Sequence, residues 1–211
     1  MASNNHKIQN FIFDWSGVIS DDFHFVFQTY LKIFAHYKKP PLSIGEFRLR
    51  FRLPYMDFCR EYLGRTDERE LGEIFKKFYT ENNSMPAPID GVEEVLKNLK
   101  MQEKVLVVLS SHSFVSLETK RFFPDRDYFD RIYEDIPNKE EAIENLMQDM
   151  GFQPDKTVYV GDMTHDIRAG KKAGLKTAAV LTGYQSKETL SKENPDYVLK
   201  DLKDIFHVIP I

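Results

Sequence analysis

Cysteine is almost missing: the 211 residues contain one, Cys59. A single thiol closes no intramolecular disulfide and builds no cysteine-based zinc cluster, so a cross-linked scaffold is excluded and a reducing compartment fits. Long apolar runs are missing as well. No stretch approaches the ~18 apolar residues that span a bilayer, and the opening MASNNHKIQN is polar rather than a charged start followed by an apolar run. A cytoplasmic protein with no membrane partner is expected. There is little excess charge of either sign, since 29 basic and 33 acidic residues leave a net charge of −4 and are spread along the whole length. That balance argues against a nucleic-acid partner and against an acidic interaction tail. Internal repeats and low-complexity tracts are absent, which excludes a solenoid.

An apolar content of 42% is enough for a substantial core, and the length suits one α/β domain carrying an insertion. Short runs rich in β-branched and aromatic residues at 8–13, 105–109, 157–160 and 177–181 read as buried parallel strands. Helical patterns at 92–100, 140–150 and 166–173 lie between them, the alternation of a doubly wound, Rossmann-like parallel sheet. The stretch 22–85 breaks the rhythm. It carries amphipathic helical patterns at 25–37 and 68–79 but no strand, and it closes on Met85-Pro86-Ala87-Pro88. The expected organisation is a core of residues 1–20 and 87–211 with an inserted helical cap of residues 21–86.

In such sheets ligands bind beyond the carboxyl ends of the strands. The first run ends in Asp14-Trp15-Ser16-Gly17, the second in Ser110-Ser111-His112, and the third in Gly161-Asp162-Met163-Thr164-His165-Asp166, with Lys139 opening the helix before it. Asp14 follows Phe11-Ile12-Phe13, so its carboxylate must be paired, hydrogen-bonded or bound to a cation. A helix N-cap is the plainer alternative. Asp162 and Asp166, four residues apart, lie on one side of a first helical turn and face the same crevice. Three converging carboxylates repel one another, and a hard divalent cation, Mg²⁺, relieves that repulsion while leaving room for water and a phosphate oxygen. Lys139 supplies a further positive charge. Each residue also has an ordinary structural role open to it: Asp166 as partner of a helix dipole, Lys139 as a solvated helix start, Ser110 as an N-cap.

Taken in order, these residues resemble the four motifs of the haloacid dehalogenase superfamily, in its phosphoglycolate phosphatase and phosphonatase-like branch. The resemblance implies a Rossmann-like core with a helical cap of the C1 type, and phosphatase chemistry on a small phosphorylated metabolite through an aspartyl-phosphate. It makes Asp14 the nucleophile and Ser110 and Lys139 its partners in catalysis. Asp14, the carbonyl of Ser16, Asp162 and Asp166 become the Mg²⁺ ligands.

Ser16 departs from the pattern, which usually has a second aspartate there as general acid and base; help of that kind is worth roughly 10²–10⁴ in rate. Asp14-Trp15-Ser16-Gly17 is closer to phosphonoacetaldehyde hydrolases, yet 48–54 reads RLRFRLP and offers no early-cap lysine for a Schiff base. A catalytically weak binding or regulatory protein of the same fold is the other alternative. Ser111 and His112 beside Ser110, and Arg48 and Arg52 in the cap, are candidate substrate contacts. More often such a run, with the two arginines one helical turn apart, is a solvated helix face.

Overall fold

A strand buried on both faces needs apolar side chains on both, and Phe11, Ile12 and Phe13 all have no exposed surface. They belong to β1 (Asn10–Phe13), the centre of the sheet in a computed structural model that describes residues 7–64, 67–82 and 85–211. The polar start at 1–6 lies outside the described residues.

The chain divides into two units, 1–21 with 88–211, and 22–87. The larger contains β1 and β2 (Ser20–Asp21). After β3 (Ala87–Pro88) it continues with α5 (Val92–Met101), β4 (Val105–Leu109), α6 (Val115–Phe122), β5 (Arg131–Tyr133), α7 (Lys139–Met150), β6 (Thr157–Gly161), α8 (Thr164–Lys172), β7 (Lys176–Val180), α9 (Lys187–Ser191), β8 (Tyr197–Leu199) and α10 (Ile205–Val208). Six strands form one sheet in the order β5-β4-β1-β6-β7-β8, every pair parallel.

The period of two along each strand sorts side chains between two helical layers. Phe11, Phe13, Leu106, Val108, Val158 and Val160 pack with Val95, Leu96 and Leu99 of α5 and Val115 of α6. Ile12, Val107, Leu109 and Tyr159 pack on the other face with Ile143 and Leu146 of α7 and Ala169 of α8. This is the doubly wound α/β architecture expected from the alternation of runs. The strands β5 and β8 were not expected: each has three residues and too little apolar sequence to stand out.

Among its described residues the smaller unit holds the helices α1 (Phe23–His36), α2 (Ile44–Arg50), α3 (Tyr55–Leu63) and α4 (Glu68–Thr80). Its core is aromatic. The Tyr30 ring lies 5.2 to 5.9 Å from those of Phe34, Phe47, Phe51, Phe58 and Phe75, separations at which edge and tilted contacts are favourable. Ser43 starts α2 with a capping box, its hydroxyl accepting from the Glu46 N–H while the Glu46 carboxylate accepts from the Ser43 N–H. Phe51 ends it in an extended conformation (ψ 128°). Arg52 therefore lies beyond the helix and is not one helical turn from Arg48, because the extended Phe51 breaks the helical period of about 3.6 residues before it.

Candidate active site

The order of connection places the site. From β1 the chain steps outward to β4 and β5, then returns across the sheet to β6 on the other side of β1, so the sense of winding reverses between β1 and β6. At such a reversal the flanking loops diverge and leave a crevice at the carboxyl ends. Asp14 leaves β1 there, its N–H donating to Val160 of β6 at 2.9 Å. Asp162 leaves β6.

The turn after β1 is tight. The Trp15 carbonyl accepts from the N–H groups of Ile19 and Ser20 at 2.8 and 2.9 Å, and Gly17 takes φ +72°, a conformation that costs glycine little. Half-buried Ser16 sits inside this turn. No helix follows Asp14 directly, so it is not an N-cap; its Oδ1 accepts the Trp15 N–H at 2.7 Å and its Oδ2 pairs with Lys139 at 2.8 Å.

Lys139, the first residue of α7, is buried, which overturns the solvated helix start. Its Nζ bridges Asp14 and Asp166 with 2.8 Å to each. Burial opposes the ammonium form, but the two carboxylates override it and leave the lysine pKa raised. Asp166 sits in the first turn of α8 and does cap it, its Oδ2 accepting the Met163 N–H at 3.1 Å, while its Oδ1 also takes the hydroxyl of Tyr159 at 3.0 Å. Burial, and then the charges of Asp166 and Asp14, hold the Tyr159 hydroxyl well above its ordinary range.

Asp162 is held through one oxygen. The Tyr184 N–H donates to its Oδ2 at 2.6 Å, while Oδ1 is buried without a hydrogen-bond partner among the described residues. Burial, with Asp166 and Asp14 beside it, raises its pKa well above the usual carboxylate range. Ligand oxygens of Asp14, Asp162 and Asp166 all lie within 4.8 Å of one another. Three carboxylates against one ammonium leave two negative charges uncompensated, and one oxygen lacks a donor. A divalent cation answers both, so the residues present fit one.

Other expected residues fall near this centre or elsewhere. Ser110 follows β4 directly and caps no helix, for α6 begins only at Val115; its Oγ accepts the His112 N–H at 3.2 Å. Ser111 donates its hydroxyl to the Ile136 carbonyl at 2.7 Å. The Nε2 of His112 lies 3.2 Å from Glu118. Arg48 and Arg52 belong to the helical unit. There the Arg48 guanidinium stacks 4.2 Å above the Phe23 ring, and Arg52 pairs with Glu61 at 2.6 Å.

Several contributors carry no signal in the sequence. Tyr159 looks like one more strand residue, and the Tyr184 contribution is a backbone N–H. His165 lies 3.2 Å from Asp166 without hydrogen-bond alignment, and burial together with the Lys139 charge lowers its pKa to about 3. Gly17, Gly161 and Gly183 could have been found as glycines flanking the acidic motifs: a β-carbon on any of them would collide with Asp162 or Asp166.

Residues 11–180 match the family model of the haloacid dehalogenase-like hydrolases. The chain belongs to that family, and it is a hydrolase. A pyrophosphatase, PpaX, from Halalkalibacterium halodurans is 24% identical over 211 residues, covering 97% of this chain and 98% of its own. A phosphoglycolate phosphatase from Synechococcus elongatus is 30% identical over 124 residues, 56% of this chain and 58% of its own. Among solved structures, a haloacid dehalogenase-like family hydrolase from Streptococcus pneumoniae superimposes with a TM-score of 0.81 at 16% identity, covering 95% of this chain and 97% of that one. At that identity the likeness speaks for the shared fold.

Proposed function

We propose that this member of the haloacid dehalogenase-like family is a Mg²⁺-dependent phosphatase of a small phosphorylated metabolite, with Asp14 as nucleophile. The observation that carries the reading is the cluster of Asp14, Asp162 and Asp166, with ligand oxygens within 4.8 Å and Lys139 bridging two of them. The names of the relatives, pyrophosphatase and phosphoglycolate phosphatase, support the substrate class.

Asp14 attacks phosphorus and the alcohol or phosphate leaving group departs, giving an aspartyl-phosphate that water then hydrolyses, so one difficult displacement becomes two easier ones. Lys139 offers its ammonium to the negative phosphoryl oxygens, and the Ser110 hydroxyl is a further donor. Asp14, Asp162, Asp166 and the Ser16 carbonyl would hold Mg²⁺, which when bound offsets charge on the phosphoryl oxygens and the carboxylates. The helical insertion acts as a cap that excludes water and selects substrate, with Arg48 and Arg52, and Ser111 and His112 of the core, as candidate substrate contacts. Ser16 supplies no proton near neutral pH, so departure of a poor leaving group is slow.

The test is phosphate release from inorganic pyrophosphate, phosphoglycolate and a panel of sugar phosphates, with and without Mg²⁺. Turnover is expected to require Mg²⁺, to vanish in Asp14→Asn, and to rise in Ser16→Asp by up to roughly 10²-fold. Turnover that persists in Asp14→Asn would overturn the reading. No turnover of any of these substrates, and no Asp14-dependent adduct with beryllium fluoride, would favour the non-catalytic alternative that Ser16 motivates.

A further inference from the structure

Glu118 is an acidic residue with 1% of its surface exposed, in the middle of α6 and outside the carboxylate cluster. Its Oε2 accepts the indole N–H of Trp15 at 2.6 Å and the hydroxyl of Ser20 at 3.3 Å; its Oε1 lies 3.2 Å from Nε2 of His112. Trp15, Ser20 and His112 are themselves buried. Burying a carboxylate is costly unless donors surround it, and an apolar residue of similar size commonly serves packing as well or better. The carboxylate is therefore placed for what it connects.

It connects the two loops that would hold a phosphoryl group. Trp15 and Ser20 bracket the turn after β1, and Trp15 is the residue next to Asp14. His112 stands in the loop after β4 and donates its own N–H to Ser110 Oγ at 3.2 Å. An unbroken chain of polar contacts thus runs from Trp15 through Glu118 and His112 to Ser110. One turn further along α6, Phe122 stacks on the Trp15 ring at 5.6 Å between centroids, 14° from parallel. Residues four apart share a helix face, so α6 meets Trp15 with a carboxylate and a ring together. An ionised Glu118 also requires the His112 proton on Nε2, which sets the orientation and tautomer of the imidazole.

We propose that Glu118 is a positioning residue: it clamps the nucleophile turn to the Ser110–His112 loop, so that Asp14 and the Ser110 hydroxyl face one phosphoryl group in fixed relation. The proposal rests on the phosphatase reading. Removing the clamp leaves the sheet and the carboxylate cluster in place but lets the two loops move independently, which is felt in the rate of the folded protein.

The experiment uses the full chain well below its unfolding midpoint and compares Glu118→Leu, Glu118→Gln and Trp15→Phe with the unmodified protein. Trp15 is the sole tryptophan, so one indole N–H resonance in the proton NMR spectrum reports the contact directly. Glu118→Leu is expected to move that resonance and to lower kcat by about 30-fold or more, a loss on the scale of misplaced reacting groups. Glu118→Gln retains an acceptor for the indole, and its amide donates to His112 Nε2 once the ring proton moves to Nδ1, so the link between the loops survives and kcat is expected to stay within about threefold. Trp15→Phe keeps the stack on Phe122 and removes only the indole donor, so kcat falls about tenfold; this variant decides the matter where Glu118→Leu does not fold.

A folded Glu118→Leu, or Trp15→Phe, with kcat within threefold of the unmodified protein overturns the clamp. If the unmodified protein turns over neither pyrophosphate nor any ester, the phosphatase reading falls and the clamp is judged on orthophosphate binding with Mg²⁺. A dissociation constant tenfold or more weaker in Glu118→Leu supports it; an equal constant, or no binding by the unmodified protein, overturns it.

Discussion

Gly183 leaves no room for a side chain beside Asp162: a β-carbon added to this glycine would fall deep inside the contact distance of the carboxylate, against Oδ2, Cγ and Cβ alike. That same oxygen receives the N–H of the neighbouring residue Tyr184. Backbone and carboxylate are thus packed as closely as glycine permits, and this contact sets the position of the second oxygen, the one without a donor. Gly183→Ala must push Asp162 aside. Overpacking of this kind costs typically ~1–3 kcal/mol, and a ligand moved by ~1 Å weakens a divalent site strongly. The expected outcome is a loss of at least about tenfold in Mg²⁺ affinity by calorimetry, with the helix content unchanged. Equal affinity in the variant would show that Asp162 is not held in place by this contact.

Tyr159 offers a gentler change. Its hydroxyl donates to Asp166 Oδ1 from within β6, alongside the Lys139 ammonium. Groups that orient a metal ligand without touching the metal typically contribute ~10–100-fold to affinity. Tyr159→Phe keeps the ring in its place between the sheet and α7, so a fall of about tenfold in Mg²⁺ affinity with little change in thermal stability is expected. An unaltered titration would leave the hydroxyl with a packing role only.

These two positions also mark where reading the sequence stops. Asp14, Asp162, Asp166 and Lys139 were legible because each is a polar residue at the edge of an apolar run or the start of a helix. In a parallel sheet those edges lie on one side of the molecule. The central strands were legible for the same reason: β4 was expected at its observed bounds, and β1, β6 and β7 within two residues. β5 and β8 were not, since Arg131-Ile132-Tyr133 and Tyr197-Val198-Leu199 are too short for a period to show. Glu118 and Tyr159 escaped for a different reason. A glutamate four residues into a helix pattern looks solvated and a tyrosine in a strand looks like core, and only packing over a separation of 103 residues brings the first to Trp15.

Lys139 tests the electrostatics from the cationic side. Its ammonium bridges Asp14 and Asp166, and all three groups are buried. Lys139→Met keeps an unbranched side chain that reaches as far as Cε, removes the ammonium and strands two buried carboxylates. Breaking a buried pair from one side costs about 3–5 kcal/mol, or on the order of 10 °C in unfolding midpoint for a chain of this size. Added Mg²⁺ is expected to restore part of that loss, because a ligand that binds only the folded form stabilises it in proportion to its affinity. Scanning calorimetry with and without Mg²⁺ checks this. A midpoint indifferent to the substitution would mean that the carboxylates take up protons instead.

Cys59 and Tyr30 in the helical unit contribute a part of the stability that is sensitive to alkaline pH. Both are buried in the aromatic core, with Cys59 Sγ 3.9 Å from the Tyr30 hydroxyl. Burial pushes the thiol from its ordinary 9.0 up to about 11, and burial likewise holds the Tyr30 hydroxyl well above 10.0. In both cases the folded state retains a proton that the unfolded chain gives up. Their contribution to stability is therefore complete below pH 9, where neither state has ionised, and is lost as pH rises through the window from 9 toward 11. For the thiol alone the full loss is about 3 kcal/mol. Cys59→Ala removes that proton linkage whatever it does to packing, so the variant's unfolding midpoint should fall less steeply than the unmodified protein's between pH 9 and 11. Circular dichroism melts at half-unit intervals give both slopes, and parallel curves would mean that the thiol ionises as readily in the folded unit as in the unfolded chain.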